Sequence, residues 1–373
     1  MNILVFSWRD PRHPLAGGAE QVMHEHMKGW VNAGHKVTLF SAHFKGAPRR
    51  EALDGVDIIR KGYQLLGVHI AGFFWYLFCK HEKFDLVIDQ FHGIPFFTPV
   101  YVRSKKLAVL QEVAREVWLM NHLPKPFNLI IGYLGYYLEP LIFKFYKKVP
   151  FMVGSESAKE DLEEFGIPGK NITVVPHGVI IEKSKRVFSK ENLPTVIFLG
   201  SLARDKGIEE ALKAFSFLSK KKVIQFWVVG KAGKIYQDYL DSLVLRLDIK
   251  DKVKFWGFVS NEKKFELLSR AHIMVNPSFR EGWGLVNIEA NVMGTPVVAY
   301  KSAGLVDSVK DNQSGLLCDE NTPVNMAETV VAVLKDSKKY QRLQKGAITW
   351  SKRFSWKKSK KRSLTLIDHL VSL

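Results

Sequence analysis

Apolar residues fall along this chain in short runs that end at glycine, serine or proline, separated by longer stretches with apolar positions three and four apart. Runs of the first kind predict buried parallel strands, and the spaced stretches predict amphipathic helices. In the first half the strand pattern covers residues 3–7, 36–41, 56–60, 86–89, 106–110, 151–154 and 172–179. It restarts at 195–199 and continues at 224–229, 253–257, 273–275 and 297–300. Helical spacing occupies 21–32, the stretch ending at 165, 208–218 and the segment opening at 285. Strand alternating with helix in both halves predicts two Rossmann-like, parallel-sheet α/β domains facing across a cleft. The lysine-rich stretch 181–194 lacks periodicity and reads as the linker, between a first domain over 1–180 and a second over 195–353. Two further stretches, 68–80 and 127–148, are dense in Phe, Tyr, Ile and Leu. The first is too short to cross a bilayer, and the second carries Asn128, Glu139 and Lys144.

Composition narrows the classes. A chain of 373 residues is long for one core, and 46% hydrophobic with 25% charged residues describes a folded protein. The opening residues 1–6 read as a strand and not as a signal peptide. Cys79 and Cys318 are far apart with no metal-ligand neighbours, so both are expected to be buried thiols in a reducing, cytoplasmic compartment. No His/Cys cluster has zinc spacing, and no metal is expected. A net charge of +18 points to an acidic partner: a nucleotide, anionic lipid or nucleic acid. No recognisable nucleic-acid module accompanies it, and the basic run 357–362 reads as a solvated helix face.

The chemistry concentrates at residues 278–290. A strand pattern leads into a Gly-rich turn with Glu281, Gly282, Trp283 and Gly284, and a helix opens at Leu285 and carries Glu289. Amides at a helix start attract phosphate, while carboxylates accept hydrogen bonds from pairs of sugar hydroxyls. Phosphate-binding amides flanked by Glu281 and Glu289 suit a nucleoside diphosphate sugar; alternatively, both carboxylates simply cap a helix start. The strand-to-helix turn 200–207 presents Ser201, Arg204 and Lys206, two cations beside another helix start. Near the N-terminus Gly17 and Gly18 form a third such turn, without the G-x-G-x-x-G spacing of a dinucleotide site.

Residues 278–290 resemble the Glu-x7-Glu signature of retaining GT-B glycosyltransferases of family 4, following Pro277-Ser278 and preceding the Gly294-Thr295-Pro296-Val297 strand start. The resemblance implies a GT-B fold and a C-terminal helix, 354–373, that packs back on the first domain. It implies that Glu281, Lys206 and Arg204 act in catalysis. Glu289, the amides around Gly282, Trp283, Gly284 and Leu285, Ser201 and Gly18 would then bind the donor. Gly200-Ser201-Leu202 is similar to the family's Gly-Arg-Leu, with Ser201 in place of the arginine. The turn holding Phe258 and Val259 resembles the family's base-contacting loop. On the acceptor side the resemblance points to Gly17, to Gln111 where relatives often have histidine, and to Glu112 and His92. Family members that use lipid-linked acceptors sit on bilayers, and Trp75, Phe78, Lys80, Phe143, Phe145, Lys147 and Lys148 would suit such a face; burial under the sheet is the other reading.

The expectation is therefore a metal-independent, retaining glycosyltransferase without a cofactor. Its partners would be a nucleotide-sugar donor, a glycan or lipid-linked acceptor and an anionic membrane surface, with no nucleic acid. Two other classes stay open: a sugar-nucleotide epimerase of the same fold, and a non-catalytic basic binder of membrane or nucleic acid.

Overall fold

The computed structural model of the chain describes residues 1–64, 66–91, 93–121, 124–179 and 188–372. Its contacts divide into two compact units: Met1–Gly178 together with Trp356–Leu373, and Val179–Ser355. The first part of the predicted linker, residues 181–187, lies outside the described residues, as does His92.

In the first unit β1 (Asn2–Phe6), β2 (Lys36–Ser41), β3 (Arg50–Leu53), β4 (Val56–Arg60), β5 (Leu86–Phe91), β6 (Lys105–Leu110), β7 (Phe151–Val153) and β8 (Ile172–Val174) form one sheet. The order is β3-β4-β2-β1-β5-β6-β7-β8, parallel except for β3. The sequence reading missed β3, because a charge-dense edge strand shows no apolar run. It is anchored instead by Glu51, which accepts from Arg60, while Arg60 grips Asp10 through two hydrogen bonds of 2.7 and 3.1 Å. Both members of that pair are fully buried, and a bidentate geometry is what makes such burial tolerable.

Helices α1 (Gly18–Asn32), α2 (Leu66–Phe78), α3 (Thr98–Tyr101), α4 (Phe127–Lys144) and α5 (Glu156–Glu164) accompany the sheet. Alternate strand residues separate two cores, as a period of two requires. Ile3, Val5 and Leu39 pack with Met23, Met27 and Trp30 of α1 and Ile367 of the C-terminal helix Trp356–Ser372. Leu4, Phe6 and Phe40 pack with Trp75 of α2, and Phe91 and Leu110 pack with Phe143 of α4. Trp75 and Phe143, expected on an interfacial face, are thus core residues at 7% and 2% exposure, whereas Phe78 and Phe145 are exposed. Cys79 also departs from expectation: it is exposed, and only Cys318 is buried. The basic run joins the C-terminal helix. Lys357, Lys358, Lys361 and Arg362 face outward, while Lys360 reaches Glu25 at 2.5 Å. Ser363 meets His26 Nδ1 at 2.9 Å and accepts from Trp30 Nε1 at 3.2 Å, docking the helix on α1.

The second unit holds β9 (Thr195–Leu199), β10 (Gln225–Val229), β11 (Val253–Gly257), β12 (Ile273–Asn276), β13 (Val297–Ala299) and β14 (Gly315–Leu317). Its helices are α6 (Ile208–Lys221), α7 (Lys234–Arg246), α8 (Asn261–Arg270), α9 (Leu285–Val292), α10 (Leu305–Ser308), α11 (Pro323–Lys335) and α12 (Ser337–Ser351). The strands run parallel in the order β11-β10-β9-β12-β13-β14. From β9 the chain winds outward to β11, then crosses to β12 and winds out the other way. The helices that follow β9 and β12 therefore pack on opposite faces of the sheet, which makes the carboxyl ends of these two neighbours its topological switch point. In the first unit the switch point falls between β1 and β5. The sequence reading also missed strand β14, Gly315–Leu317.

Candidate active site

The switch point of the second unit lies where the sequence pattern placed the chemistry. After β9 the chain turns through Arg204, Asp205 and Lys206 to Gly207, which caps α6 at φ 71°. A Cβ at Gly207 would lie 2.1 Å from the Pro277 carbonyl, so only glycine lets the two turns touch. The contact is then tied. Phe279 N donates to Asp205 O at 2.9 Å, and Ser278 Oγ lies 3.1 Å from Asp205 O and 3.0 Å from Arg280 O. A third turn, after β13, braces the same loop: Glu281 N donates to Ala303 O at 3.1 Å and Ser302 Oγ to Ser278 O at 2.7 Å.

This stitching brings Lys206 and Glu281 together from positions far apart in sequence. Lys206 Nζ is 3.2 Å from Glu281 and 3.6 Å from Asp205, and it also donates to Arg280 O at 3.4 Å. Both side chains keep about a fifth of their surface open, at 23% and 19%. Attraction between them is consequently stronger than for a solvated surface pair.

Helix α9 begins at Gly284, whose φ is 78°. Its start is locked to the strand before it by a buried chain: Asn276 Nδ2 donates to Asn287 Oδ1 at 2.8 Å, and Asn287 Nδ2 to Ser308 Oγ at 2.9 Å. The first-turn amides, at Leu285 and Val286, have no acceptor within the helix. Gly282 is buried in the turn, and the Trp283 ring turns inward onto Phe354 with centroids 4.9 Å apart. The ring thus leaves only the Trp283 backbone for the donor contact that the resemblance implies.

Glu289 accepts a 2.6 Å hydrogen bond from Lys264 on α8. Burial lifts its carboxyl above the usual range, against the opposing pull of that lysine. Helix α8 is capped by Ser260, whose Oγ accepts from Lys263 N, directly after the turn of Phe258 and Val259. Phe258 is 80% exposed with Lys231 Nζ 5.6 Å above its ring, while Val259 packs on the core. The turn read as base-contacting and the carboxylate read as sugar-contacting are thus joined through one helix. Arg204 and Ser201 are exposed, and Arg204 leans on Glu209 at 3.6 Å, not on Glu281.

The first unit holds the remaining candidates. Gly17 caps α1, with its amide donating to Glu20 Oε2 at 2.7 Å, and Gly18 is the first helical residue. Trp8 Nε1 occupies the other Glu20 oxygen at 3.1 Å. The Gly17 amide is therefore committed to a carboxylate. Gln111 is buried, and its Oε1 accepts from His177 Nε2 at 2.8 Å; Glu112 beside it is half-buried. Sequence reasoning did not find Lys264, Asp205, Asn276 or Asn287. The one signal available was the position of Lys264 in the helix that follows the Phe258 turn.

Residues 179–350 match the profile described as Glycosyl transferases group 1, and residues 16–183 match Glycosyltransferase Family 4. Between them the two matches run through both units. The chain belongs to the group 1 glycosyltransferases. An uncharacterised glycosyltransferase of Methanocaldococcus jannaschii is 23% identical over 360 residues, 90% of each chain. A D-inositol 3-phosphate glycosyltransferase of Acidothermus cellulolyticus is 30% identical over 216 residues, and there the match spans about half of each chain, 53% of this one and 48% of the relative. Among solved structures, sucrose-phosphate synthase of Thermosynechococcus elongatus superposes with a TM-score of 0.81 at 19% identity, covering 100% of this chain and 99% of that one. HepE of Anabaena in complex with UDP-glucose gives 0.74 at 17% identity, with 100% of both chains covered. This group 1 glycosyltransferase therefore has the GT-B fold of two parallel-sheet α/β domains.

Proposed function

We propose that this glycosyltransferase moves a sugar from a nucleoside diphosphate donor to an acceptor hydroxyl with retention of anomeric configuration. One observation carries the reading: at the switch point between β9 and β12 a lysine and a glutamate are held 3.2 Å apart beside a helix start. Negative charge builds on the leaving diphosphate, and Lys206, Arg204 and the amides at Gly284 and Leu285 are assigned to receive it. Preorganised donors of this kind need no reorientation as the charge appears. Glu281 is assigned to hydroxyls of the transferred sugar and Glu289 to the ribose diol, which together fix the anomeric carbon for attack. The acceptor oxygen attacks from the face that the phosphate leaves, and a phosphate oxygen takes its proton. No metal is required in this scheme, because fixed cations and amides supply the positive charge.

The neighbour determined with UDP-glucose supports a nucleotide-sugar donor. We place the reaction in glycolipid, polysaccharide or other glycoconjugate synthesis, on a glycan or lipid-linked acceptor. The compartment we infer is the cytoplasm, with the enzyme peripheral to the inner face of the membrane; two free thiols suit a reducing environment. A thermal-shift screen of UDP-, GDP- and ADP-sugars tests the donor, since a ligand selective for the folded state raises its melting point. NMR of the product's anomeric centre then reads retention, and an undiminished rate in EDTA reads metal independence. No shift with any sugar nucleotide, or an inverted product, would overturn the reading.

A further inference from the structure

The sheet of the first unit ends at β8, which among the described strands pairs with β7 alone. The register is Phe151↔Ile172, Met152↔Thr173 and Val153↔Val174. Along a parallel ladder, successive residues turn their N–H and C=O to opposite sides. Val175 N donates to Val153 O at 2.8 Å, so the backbone groups of Val174 point away from β7. An edge left this way is a template for one more strand.

The C-terminal helix Trp356–Ser372 borders that edge. Between the two runs a groove of about 640 Å³, with Thr173 and Val174 on one wall and Lys358, Lys361, Arg362 and His369 on the other. These basic residues recur at the spacing of a single helical face, and all of them are exposed. A neighbouring face of the helix docks on α1 and the core through Ser363 and Ile367. Among the described residues, neither a carboxylate nor a Phe, Tyr or Trp lines the groove.

We propose that this groove binds an acidic polypeptide segment in extended conformation, added as a strand beside β8. The two walls select the occupant together. An open strand edge is matched by the alternating N–H and C=O of another backbone, a pattern that phosphates and lipid headgroups do not carry. The cationic wall, on a chain of net charge +18, repels basic segments and draws acidic ones. Lysines that guard an edge against pairing normally sit on the strand itself. Here the charges sit on a helix across a groove, so a strand at the usual spacing of about 4.8 Å from β8 meets them with its side chains. Single-stranded nucleic acid is the poorer fit, because its bases stack on aromatic rings that this lining lacks. None of these residues belongs to the donor cluster of the second unit.

Fluorescence anisotropy of the full chain with a labelled, alternating Glu-Val octapeptide tests the proposal. Binding is expected to weaken with salt and to exceed that of the matching Lys-Val octapeptide by about tenfold or more. Methylating every backbone nitrogen of the Glu-Val probe keeps its charge and abolishes strand pairing, and should weaken binding by about tenfold. Lys361→Glu with Arg362→Glu should weaken it by a similar factor of about ten. Val174→Pro removes an outward N–H without removing a bond to β7, and should do the same. Unchanged melting temperature and sugar-nucleotide shift show that both variants are intact, and the methylated probe needs no change to the protein. No binding, equal binding of the methylated or the Lys-Val peptide, or full binding by the charge-reversed variant would each overturn the proposal. So would displacement of the probe by an oligonucleotide or by phosphatidylglycerol vesicles at concentrations below that of unlabelled peptide.

Discussion

At the scale of single residues, Lys206 carries the largest expectation. Lys206→Ala removes the cation nearest Glu281, and transfer should fall by roughly a hundred- to a thousandfold with the fold retained. Steady-state rates with unchanged melting temperature would show it; near-normal turnover would remove Lys206 from the mechanism. Buried imidazoles give a second expectation. Burial lowers His177 from 6.5 to about 4 and His26 to about 3, the latter also opposed by His177 and Lys360. Below pH 6.5 the unfolded chain takes up protons that the native form refuses, so stability falls as acid is added, until the pH passes below these native values. By pH 5 the loss should be on the order of 2 kcal/mol for each histidine. A urea midpoint that is the same at pH 7 and pH 5 would contradict this. Lys206 and Glu281 stood out in the sequence because each sits at a strand-to-helix turn with glycines, and Glu289 because it lies on the helix that the second turn opens. Lys264 and the Asn276–Asn287 pair did not, because what makes them matter is a partner elsewhere in the fold. Gln111 shows the converse: the sequence singled the residue out but gave no sign of its bond to His177.

At the scale of elements, the site depends on turns lying closer than side chains permit. Gly207→Ala puts a Cβ where the Pro277 carbonyl stands and imposes a left-handed φ on alanine. We expect a loss of about 1–3 kcal/mol, with Lys206 displaced and transfer reduced together. Calorimetry beside the rate assay reads both, and a variant with wild-type stability and rate would refute the packing argument. Strands with apolar runs announced themselves, and β2, β4, β9 and β11 carry the predicted bounds. Two edge strands did not: β3, which is charged, and β14, Gly315–Leu317. The helices α2 and α4 were recognised as apolar segments, but the sequence could not say which side each would bury. Trp75 and Phe143 turned inward because the sheet beneath them needed large rings, which leaves the outer side to residues the pattern did not rank.

At the scale of the whole molecule, strand order makes the switch points, and only the alternation of elements was visible beforehand. The unit that begins at Met1 also includes Trp356–Leu373, so the chain passes between units twice. Ending it at Ser355 would strip Ile367 and Ser363 from over Met23, Met27 and Trp30. We expect the shortened chain to bind a hydrophobic dye and to lose one of two unfolding transitions, keeping that of Val179–Ser355. Two intact transitions would show that the helix is dispensable. The same connectivity sets an order during synthesis. β1 leaves the ribosome before the second unit does, yet the layer over one face of its sheet is closed only by Trp356–Ser372, which follows that unit. The unit that begins at Met1 is thus completed only after Val179–Ser355 has been made, and until then Met23, Met27 and Trp30 lack the cover of Ile367.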